Sequence, residues 1–513
     1  MRRSGLALPD EGGWSIASVF VGSVYLILQN IVSTVVGVLG YSFMARMISQ
    51  EEMGVVAGIT LLHSLVQVLV DFGLNTSIIK FVSESIGRKT SYAKHVFSTI
   101  FFRLLTALVT FTIVFSSSTE ISRVLFGSSD YSGLLSIVAI DMVFASINAL
   151  LNGVLLGAGF LKSMAFFNAS SIIVRWVSIV LLLGRGYGLT GVFYGWIAGS
   201  LVLLILLSFS TFRLRSFGKQ SGEFGVLWSM LKFSMPVYVS SLISFLYTWY
   251  DKALILIFLP LQQLGVYNVA YTAFSVFTSI ATAISSALLS YYGVVYGRGE
   301  HDAISEGMRS TSKYTMLLLF PLALGLASTS RHVLILFADR QYESGWLTLA
   351  TLSVFGLAYG VSSALGNLLL VYGKTKEILV VTLLSTLLSI CFMPLVFILN
   401  LMGLAIVKGM SILLSLVFSL YFLSKTVRIR FEFPVMLKIL FSSIVMAFSV
   451  FAVQQVLQGS LFLPLHVIVG IATYVLLIRK MKILTDEDAK LFREIFGENF
   501  SKYVIRVVGI KTS

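Results

Sequence analysis

The chain is dominated by long apolar runs that are separated by short polar segments. Residues 45–91 show the pattern: a polar turn at residues 46–52 is followed by an apolar run from residue 53 to about residue 82. A run of that length crosses the hydrocarbon core of a bilayer with tilt to spare. The turn is too short to form a domain and too polar for hydrocarbon, so we expect it at a membrane face. The pattern predicts a protein that crosses the membrane many times.

The composition agrees with this class and argues against others. Of the 513 residues, 57% are hydrophobic and 12% are charged, which excludes an ordinary soluble globular protein. The net charge of +14 would suggest nucleic-acid binding in a soluble domain, but the basic residues cluster in alternate loops, so no nucleic-acid partner is expected. The single cysteine, Cys391, excludes an intramolecular disulfide. The five histidines show no metal-ligand spacing, and neither a metal nor a cofactor is predicted.

Counting the apolar runs predicts an all-α polytopic membrane protein with about fourteen transmembrane helices. The first run follows two arginines but is too long for a secretory signal, so it is interpreted as the first helix. The predicted helices lie near residues 15–45, 53–80, 93–116, 131–157, 163–184, 188–212, 227–259, 264–295, 311–333, 345–372, 377–399, 402–424, 435–457 and 460–478.

The basic residues predict the orientation in the cell membrane. With the amino terminus inside, most of the 37 Lys and Arg fall in inner loops and tails. The outer loops then hold Arg46, Arg123, Arg185, Arg331 and Arg340. Because cytoplasmic loops collect Lys and Arg, both termini are predicted to be cytoplasmic.

Matching landmarks recur at a nearly constant separation, which indicates an internal repeat. ISQEEMGV at residues 48–55 aligns with LPLQQLGV at residues 259–266, an offset of 211. Six helices followed by six in the same order predict two parallel lobes related by an axis along the membrane normal. The predicted divisions are a cytoplasmic tail at 1–14, an N-lobe at 15–220, a C-lobe at 221–430, two further helices at 431–480 and a cytoplasmic amphipathic tail at 481–513.

Five segments carry a resemblance to a known family: ARMISQEEMGVV, LVDFGLNTSIIKFVSE, PLQQLGVYNVAY, GRGEHDAISEGMRSTSKY and LLVYGKTKE. They resemble segments of the polysaccharide transporter flippases, whose superfamily also contains multidrug and toxic-compound extrusion exporters and lipid II flippases. The resemblance implies two six-helix lobes around a central cavity that opens alternately to each side. It implies movement of a polyprenyl- or dolichyl-linked oligosaccharide from the cytoplasmic to the outer leaflet. The expected partners are that substrate, membrane lipids, and glycan polymerase or transferase machinery.

Ionisable residues inside predicted spans are the candidate site residues, because each costs about 2.5–3.5 kcal/mol at a helix centre and persists mainly when paired or facing a polar cavity. The candidate substrate-binding bases are Arg103, Arg175, Lys252 and Lys408, and the candidate ion-coupling or charge-pairing acids are Asp71, Asp141 and Asp251. Arg175 and Asp141 fall near mid-span and are expected to face the cavity. Arg103, Lys252 and Lys408 lie nearer a membrane face, where snorkelling is an equal alternative.

Several alternatives stay open from the sequence. Asp71 either pairs with Lys80 or caps a helix break at Gly73. His63 is interpreted as a packed histidine more readily than as a proton relay. Tyr247, Trp249 and Tyr250 stack on sugar or belong to an interfacial aromatic belt. A set of glycines at GxxxG spacing, Gly191, Gly195 and Gly199, predicts close helix packing.

Competing functions are compared by the chemistry that each requires. An ion-coupled exporter of drugs or organic cations predicts an acid-dominated cavity, which four bases against three acids do not favour. A polytopic glycosyltransferase needs a sizeable outer loop with acids or a metal-binding pair, and the longest outer loops, residues 117–130 and 331–344, are short. Gly373–Lys374–Thr375 lacks the first glycine of a phosphate-binding loop and follows a predicted helix, so ATP binding is not expected. The sequence favours a transporter without enzymatic activity.

Overall fold

The computed structural model describes residues 16–213, 224–299, 301–427, 432–485 and 488. Within these ranges the regular structure is helical and contains no strand, and thirteen helices are long and apolar enough to cross a membrane. The predicted fold class is therefore confirmed. The chain divides into two compact units, Met1–Leu261 and Gln262–Ser513. Most of the predicted tails, at 1–14 and 481–513, lies outside the described residues.

The first unit contains nine α-helices within the described ranges. They are α1 (Ile16–Met47), α2 (Gln50–Asp71), α3 (Leu74–Gly87), α4 (Ala93–Ser116), α5 (Ser118–Phe126), α6 (Ser132–Gly157), α7 (Leu161–Gly184), α8 (Gly188–Arg213) and α9 (Phe224–Phe258). One apolar core of this unit is formed by residues from α3, α4, α6, α7, α8 and α9.

The second unit begins within the first turn of α10 (Leu261–Gly297). The helices that follow are α11 (His301–Ala338), α12 (Trp346–Val371), α13 (Thr375–Ile390), α14 (Pro394–Ser424), α15 (Phe433–Val456) and α16 (Leu463–Lys480). Short 3₁₀ turns at Arg340–Gly345 and Ser460–Phe462 connect α11 to α12 and α15 to α16.

The chain turns between α1 and α2 at residues 48–49, within the polar segment predicted at residues 46–52, and the sequence there explains where α2 begins. Ser49 precedes the helix, and its hydroxyl accepts a hydrogen bond from the Glu52 amide at 3.2 Å. The Glu52 carboxylate accepts one from the Ser49 amide at 2.8 Å. This reciprocal capping box satisfies two amides that have no partner within the helix.

The span predicted at residues 53–80 is not one helix, because it is broken between α2 and α3. Phe72 and Gly73 both adopt left-handed backbone conformations, with φ of 48° and 72°. The alternative in which Asp71 caps a break at Gly73 is the one observed, since its Oδ1 lies 3.3 Å from the Asn75 amide and accepts its hydrogen bond. Lys80 instead lies over the Phe233 ring, 4.0 Å from its centroid.

Helix α9 supplies partners for this break. The Ser234 hydroxyl donates to the Phe72 carbonyl at 2.8 Å, and the Ser77 hydroxyl donates to the Met230 carbonyl at 3.2 Å. Helix α9 thus packs against α2, α3 and α4 inside the first unit. The sequence grouped this helix with the C-lobe, and that lobe division stays a prediction.

The span predicted at residues 377–399 is also interrupted. Helix α13 ends at Ile390, three residues form a tight turn, and Pro394 begins α14. Proline has no amide hydrogen and is favoured in a first helical turn, so Pro394 suits the start of α14 and disfavours a continuation of α13. A second irregularity follows at Asn400, with φ of 50° and ψ of −126°. This interruption accounts for thirteen spanning helices where about fourteen were predicted.

Replacing Gly73 with alanine tests the break. A Cβ there would lie 2.7 Å from the Ser234 carbonyl oxygen, in addition to the cost of a left-handed alanine, about 1–2 kcal/mol. Gly127 has nearly the same φ, 71°, and no atom lies within 4 Å of the position that an alanine methyl would take there, so Gly127→Ala carries the backbone cost alone. We expect Gly73→Ala to lower the Tm of the purified protein more than Gly127→Ala. Equal Tm values would contradict the close approach of α9.

Candidate substrate site in the first unit

Four helices of the first unit bring together a group of side chains that we call the charge cluster: His63 from α2, Asp141 from α6, Arg175 from α7 and Trp196 from α8. His63 Nε2 lies 3.1 Å from Asp141 Oδ2. The Arg175 guanidinium carbon lies 4.3 Å from the centroid of the Trp196 ring. The rings of His63 and Trp196 are nearly perpendicular, with centroids 5.7 Å apart. The cluster therefore joins a base, an acid and a titratable imidazole around one indole.

Arg175 is the member of the cluster with unused donors. Its side chain forms no ion pair or hydrogen bond with any residue that the structure describes, and the Nε atom is buried without a partner. Asp141 is close enough to interact with it electrostatically. A guanidinium carries five donors in a planar fork that matches phosphate or carboxylate oxygens. Arg175 can therefore bind an anionic group while Trp196 supports its other surface.

Asp141 is nearly fully buried, with a side chain that is 3% exposed. His63 contacts one carboxylate oxygen, and the other, Oδ1, has no hydrogen-bond partner among the described residues. A buried carboxylate with one unsatisfied oxygen is costly unless a positive charge offsets it. His63, if protonated, and Arg175 are the two groups that can do so here.

The close approach of α7 and α8 holds Arg175 in place. A Cβ at Gly199 would lie 2.7 Å from the Arg175 Cβ, and one at Gly195 would lie 3.1 Å from the Arg175 carbonyl oxygen. The Ser171 hydroxyl also donates to the Gly199 carbonyl at 2.9 Å. The close packing predicted from the GxxxG spacing is confirmed, and it fixes the backbone from which the guanidinium extends.

Arg103 lies in a different environment, at the break between α2 and α3. Its side chain is 1% exposed and forms an ion pair with Asp71 at 2.8 Å. It also donates to the Val70 carbonyl at 2.9 Å and to the Asn75 side chain at 3.0 Å. Most of its hydrogen-bonding capacity is thus used within the first unit. The predicted substrate contact of Arg103 stays a prediction, although this geometry favours a structural role.

The remaining candidates lie elsewhere. Asp251 and Lys252 are buried neighbours in α9, and the Lys252 amine lies 4.4 Å from the centroid of the Trp249 ring. Lys408 belongs to α14 in the second unit, where its amine lies 5.9 Å from the centroid of the Tyr271 ring. Of the seven predicted residues, the structure pairs Arg103 with Asp71 and places Arg175 beside Asp141.

Sequence reasoning missed two participants of the charge cluster. His63 was interpreted as a packed histidine, and Trp196 was not singled out. Trp196 directly follows Gly195, so a tryptophan within a stripe of small residues was the available signal. The spacing of residues cannot show that His63 contacts Asp141, because the two are on different helices.

An ion pair in the second unit was also missed. Lys313 Nζ, in α11, lies 2.6 Å from Asp488 Oδ2, and the Tyr314 hydroxyl donates to the Asp488 carboxylate. Burial alone raises the pKa of the Asp488 carboxyl, but hydrogen bonds from Lys313, Tyr314 and the Thr485 backbone outweigh it and lower the pKa below its ordinary value. Asp488 therefore remains ionised at neutral pH and anchors the segment after α16 to α11.

Solved structures define the class of the fold. The lipid II flippase MurJ in its inward closed conformation matches with a TM-score of 0.74 at 15% identity, over 92% of this chain and all of that chain. An inward-facing multidrug resistance MATE family transporter of the MOP superfamily matches with a TM-score of 0.64 at 15% identity, over 77% of this chain and 94% of that chain. The chain is thus a multi-pass membrane protein with the MurJ and MATE type of fold.

Sequence comparison gives the family. A family model described as polysaccharide biosynthesis protein matches residues 43–346, more than half of the chain, and the chain belongs to that family. The "Probable low-salt glycan biosynthesis flippase Agl15" of Haloferax volcanii is 22% identical over 452 residues, which cover 87% of this chain and 92% of that protein. The resemblance drawn from the sequence segments is confirmed.

Arginine substitutions distinguish the two environments. Removing one partner of a buried ion pair typically costs about 3–5 kcal/mol, so Arg103→Ala should lower the Tm of the purified protein strongly. Arg175→Ala removes no direct ion pair within the described residues, and His63 still contacts Asp141, so the Tm should fall less than in Arg103→Ala. The double variant Arg103→Met/Asp71→Asn should recover part of the loss, because it leaves no unpaired charge. An equal loss of stability in Arg103→Ala and Arg175→Ala would contradict the distinction.

Proposed function

We propose that the protein is a flippase that moves a polyprenyl- or dolichyl-linked oligosaccharide from the cytoplasmic to the outer leaflet by alternating access. Membership of a polysaccharide biosynthesis family supports a role in making polysaccharide. Similarity to MurJ and to Agl15 supports flippase activity. The structural observation that carries the proposal is Arg175, a base within a spanning helix that has no ion-pair partner in the described part of the chain.

The physical argument starts from the substrate's charge. A lipid-linked oligosaccharide carries a phosphate or pyrophosphate, and moving this group through hydrocarbon is prohibitive without a compensating cation. Arg175 offers that cation together with geometry suited to phosphate oxygens. The lipid chain can stay in the bilayer, so the protein has to shield only the polar part.

The other candidate residues receive proposed roles. Lys252 and Lys408 are proposed to contact the anionic group at other stages of transport. Arg103 is proposed to maintain the α2–α3 break, since Asp71 and two further oxygens already bind it. Asp141 with His63 and Asp251 with Lys252 are proposed as charge pairs or ion-coupling sites. Glycan polymerase or transferase machinery is the proposed source and recipient of the substrate.

An exporter of drugs or organic cations is the second candidate, supported by the MATE structures of the same fold. It requires acids that are available to bind a cation. Asp71 is occupied by Arg103, and Asp141 is contacted by His63. These pairings favour an anionic substrate.

Substitution of Arg175 tests the proposed function. In cells whose own copy of the gene is deleted and replaced by a variant, Arg175→Ala should reduce surface glycan roughly a hundredfold or more at unchanged protein level, since one charged contact in a low-dielectric site is worth several kcal/mol. Arg175→Lys should keep part of the activity, because it retains the charge without the planar fork. Surface glycan and accumulated lipid-linked precursor would be measured by mass spectrometry. Arg185→Ala, at an exposed arginine after α7, is the control and should behave as wild type. Normal surface glycan in Arg175→Ala would refute this role.

The direction of transport requires the predicted orientation. In a Cys391→Ala background, a cysteine at exposed Ser344 should react with an impermeant thiol reagent from outside, because it lies in a predicted outer loop. A cysteine at exposed Ser424, at the end of α14, should react only after the membrane is permeabilised. The reverse labelling would overturn the orientation and the direction of transport.

A further inference from the structure

A cavity of about 550 Å³ lies within the second unit, and no residue of the charge cluster is among those that line it. We call it the α11–α15 cavity. Its walls come from the end of α11, the 3₁₀ turn after it, the start of α12 and the connection from α15 to α16. The residues used below are Arg331, His332, Arg340, Glu343, Trp346 and Gln454. The predicted orientation places this end of the helices on the outside. The volume falls in the range of small-molecule sites, about 300–1,000 Å³.

Two buried polar groups on its walls have no hydrogen-bond partner in the described ranges. The Gln454 side chain is 8% exposed, and its amide nitrogen is unpartnered. His332 Nδ1 is also buried without a partner. Leaving such a group unsatisfied destabilises the folded protein unless a ligand or water completes the hydrogen bond. Hydroxyl or carboxylate oxygens of a ligand could accept from the Gln454 amide and from His332 in the tautomer that protonates Nδ1.

Two arginines share a single acid at the cavity. Arg331 Nε lies 2.7 Å from Glu343 Oε1, and Arg340 Nε lies 3.8 Å from Glu343 Oε2. One carboxylate neutralises one guanidinium, so these three lining residues carry a net positive charge and spare donors. Asp339 does not line the cavity and accepts a hydrogen bond from the Arg340 amide. The side chains of Arg331 and Arg340 are 60% and 86% exposed, which leaves those donors accessible.

An aromatic ring and a fixed connection complete the walls. Trp346, the first residue of α12, is 40% exposed and offers a flat apolar surface. His466 holds the connection after α15, because its Nε2 lies 3.1 Å from the Leu457 carbonyl oxygen. The His466 ring also packs edge-on against the His332 ring, with centroids 5.3 Å apart. The site is thus built on helix ends, and Gln454 is a buried residue of its lining.

We propose that the α11–α15 cavity binds an acidic sugar unit of the translocated oligosaccharide on the outer side. The arginines would bind the carboxylate, Gln454 and His332 would bind hydroxyl groups, and Trp346 would pack against the C–H face of the ring. A simple inorganic anion would use the arginines and leave Gln454 unsatisfied, while a neutral sugar would leave the net positive charge uncompensated. This inference rests on the proposed flippase function and adds a glycan-binding site to it.

Binding to the purified full-length protein in detergent tests the proposal, with trigalacturonate as the acidic probe, maltotriose as the neutral probe and sodium sulfate as the simple anion. We expect trigalacturonate to bind at least about tenfold more tightly than either, because maltotriose lacks the carboxylates that the arginines would bind and sulfate lacks the hydroxyl groups that Gln454 and His332 would bind. Isothermal titration calorimetry measures all three under the same conditions.

Three variants locate the binding. Gln454→Leu and Arg340→Gln should each weaken trigalacturonate binding about fivefold or more, by loss of a hydrogen bond or a charge. Gln454→Leu should not lower the Tm, because it removes a buried amide that has no partner. Arg185→Gln, an exposed arginine of the first unit, is the matched control and should leave binding unchanged.

Each outcome decides the proposal. Absence of trigalacturonate binding, equal affinity for sulfate or maltotriose, or unchanged binding in both cavity variants would overturn it. Binding should also persist in Arg175→Ala, which separates this site from the transport step. If the protein does not bind the acidic sugar but transport still requires Arg175, the cavity site is refuted and the proposed flippase function is retained. If the protein binds the acidic sugar but transport is unchanged in Arg175→Ala, only the proposed role of Arg175 is refuted.

Discussion

Backbone polar groups inside a bilayer have no water to bind, so any interruption of a spanning helix has to be satisfied by the protein itself. The break between α2 and α3 shows how this requirement shapes the first unit. The Phe72 carbonyl accepts a hydrogen bond from the Ser234 hydroxyl of α9, and the Arg103 guanidinium donates to the Val70 carbonyl and the Asp71 carboxylate. A base within a spanning segment is therefore explained here by local structure. The break also requires α9 to pack close to Gly73.

Because Asp71, Val70 and Asn75 already bind Arg103, the role of the other intramembrane bases has to be considered separately. Arg175 lies on a helix without a break, and its guanidinium stacks on Trp196 with no carboxylate bound to it in the described residues. The acid in the same cluster, Asp141, is contacted by His63. A partly neutralised cation held on a rigid α7–α8 pair is preorganised for an anionic group, and it does not need to be released from a tight ion pair first.

The sequence predicted those features that depend on composition and local order. Apolar runs predicted the spanning helices, the polar segment at residues 46–52 predicted the turn before α2, and the glycines of α8 predicted its close approach to α7. The breaks were harder, because the polar residues beside Phe72 and Gly73 are few within a long apolar run, and the sequence left a cap of Asp71 at Gly73 as only one of two alternatives. Which residues pair is decided by the rotation and offset of neighbouring helices, so neither the partner of Arg103 nor that of His63 was available from spacing.

Both units retain a positive charge that their own acids do not fully neutralise, and this bears on the class of substrate. In the first unit Arg175 lacks an ion pair within the described residues, and in the second Arg331 and Arg340 share Glu343. A positive charge without an ion pair inside a spanning helix, as at Arg175, costs free energy, whereas Arg331 and Arg340 are exposed and carry little of this cost. An organic-cation exporter would gain nothing from either. A substrate with phosphate at the lipid junction and acid groups on its sugars would offset both charges. The distribution of charge therefore favours an anionic glycolipid over a cationic drug.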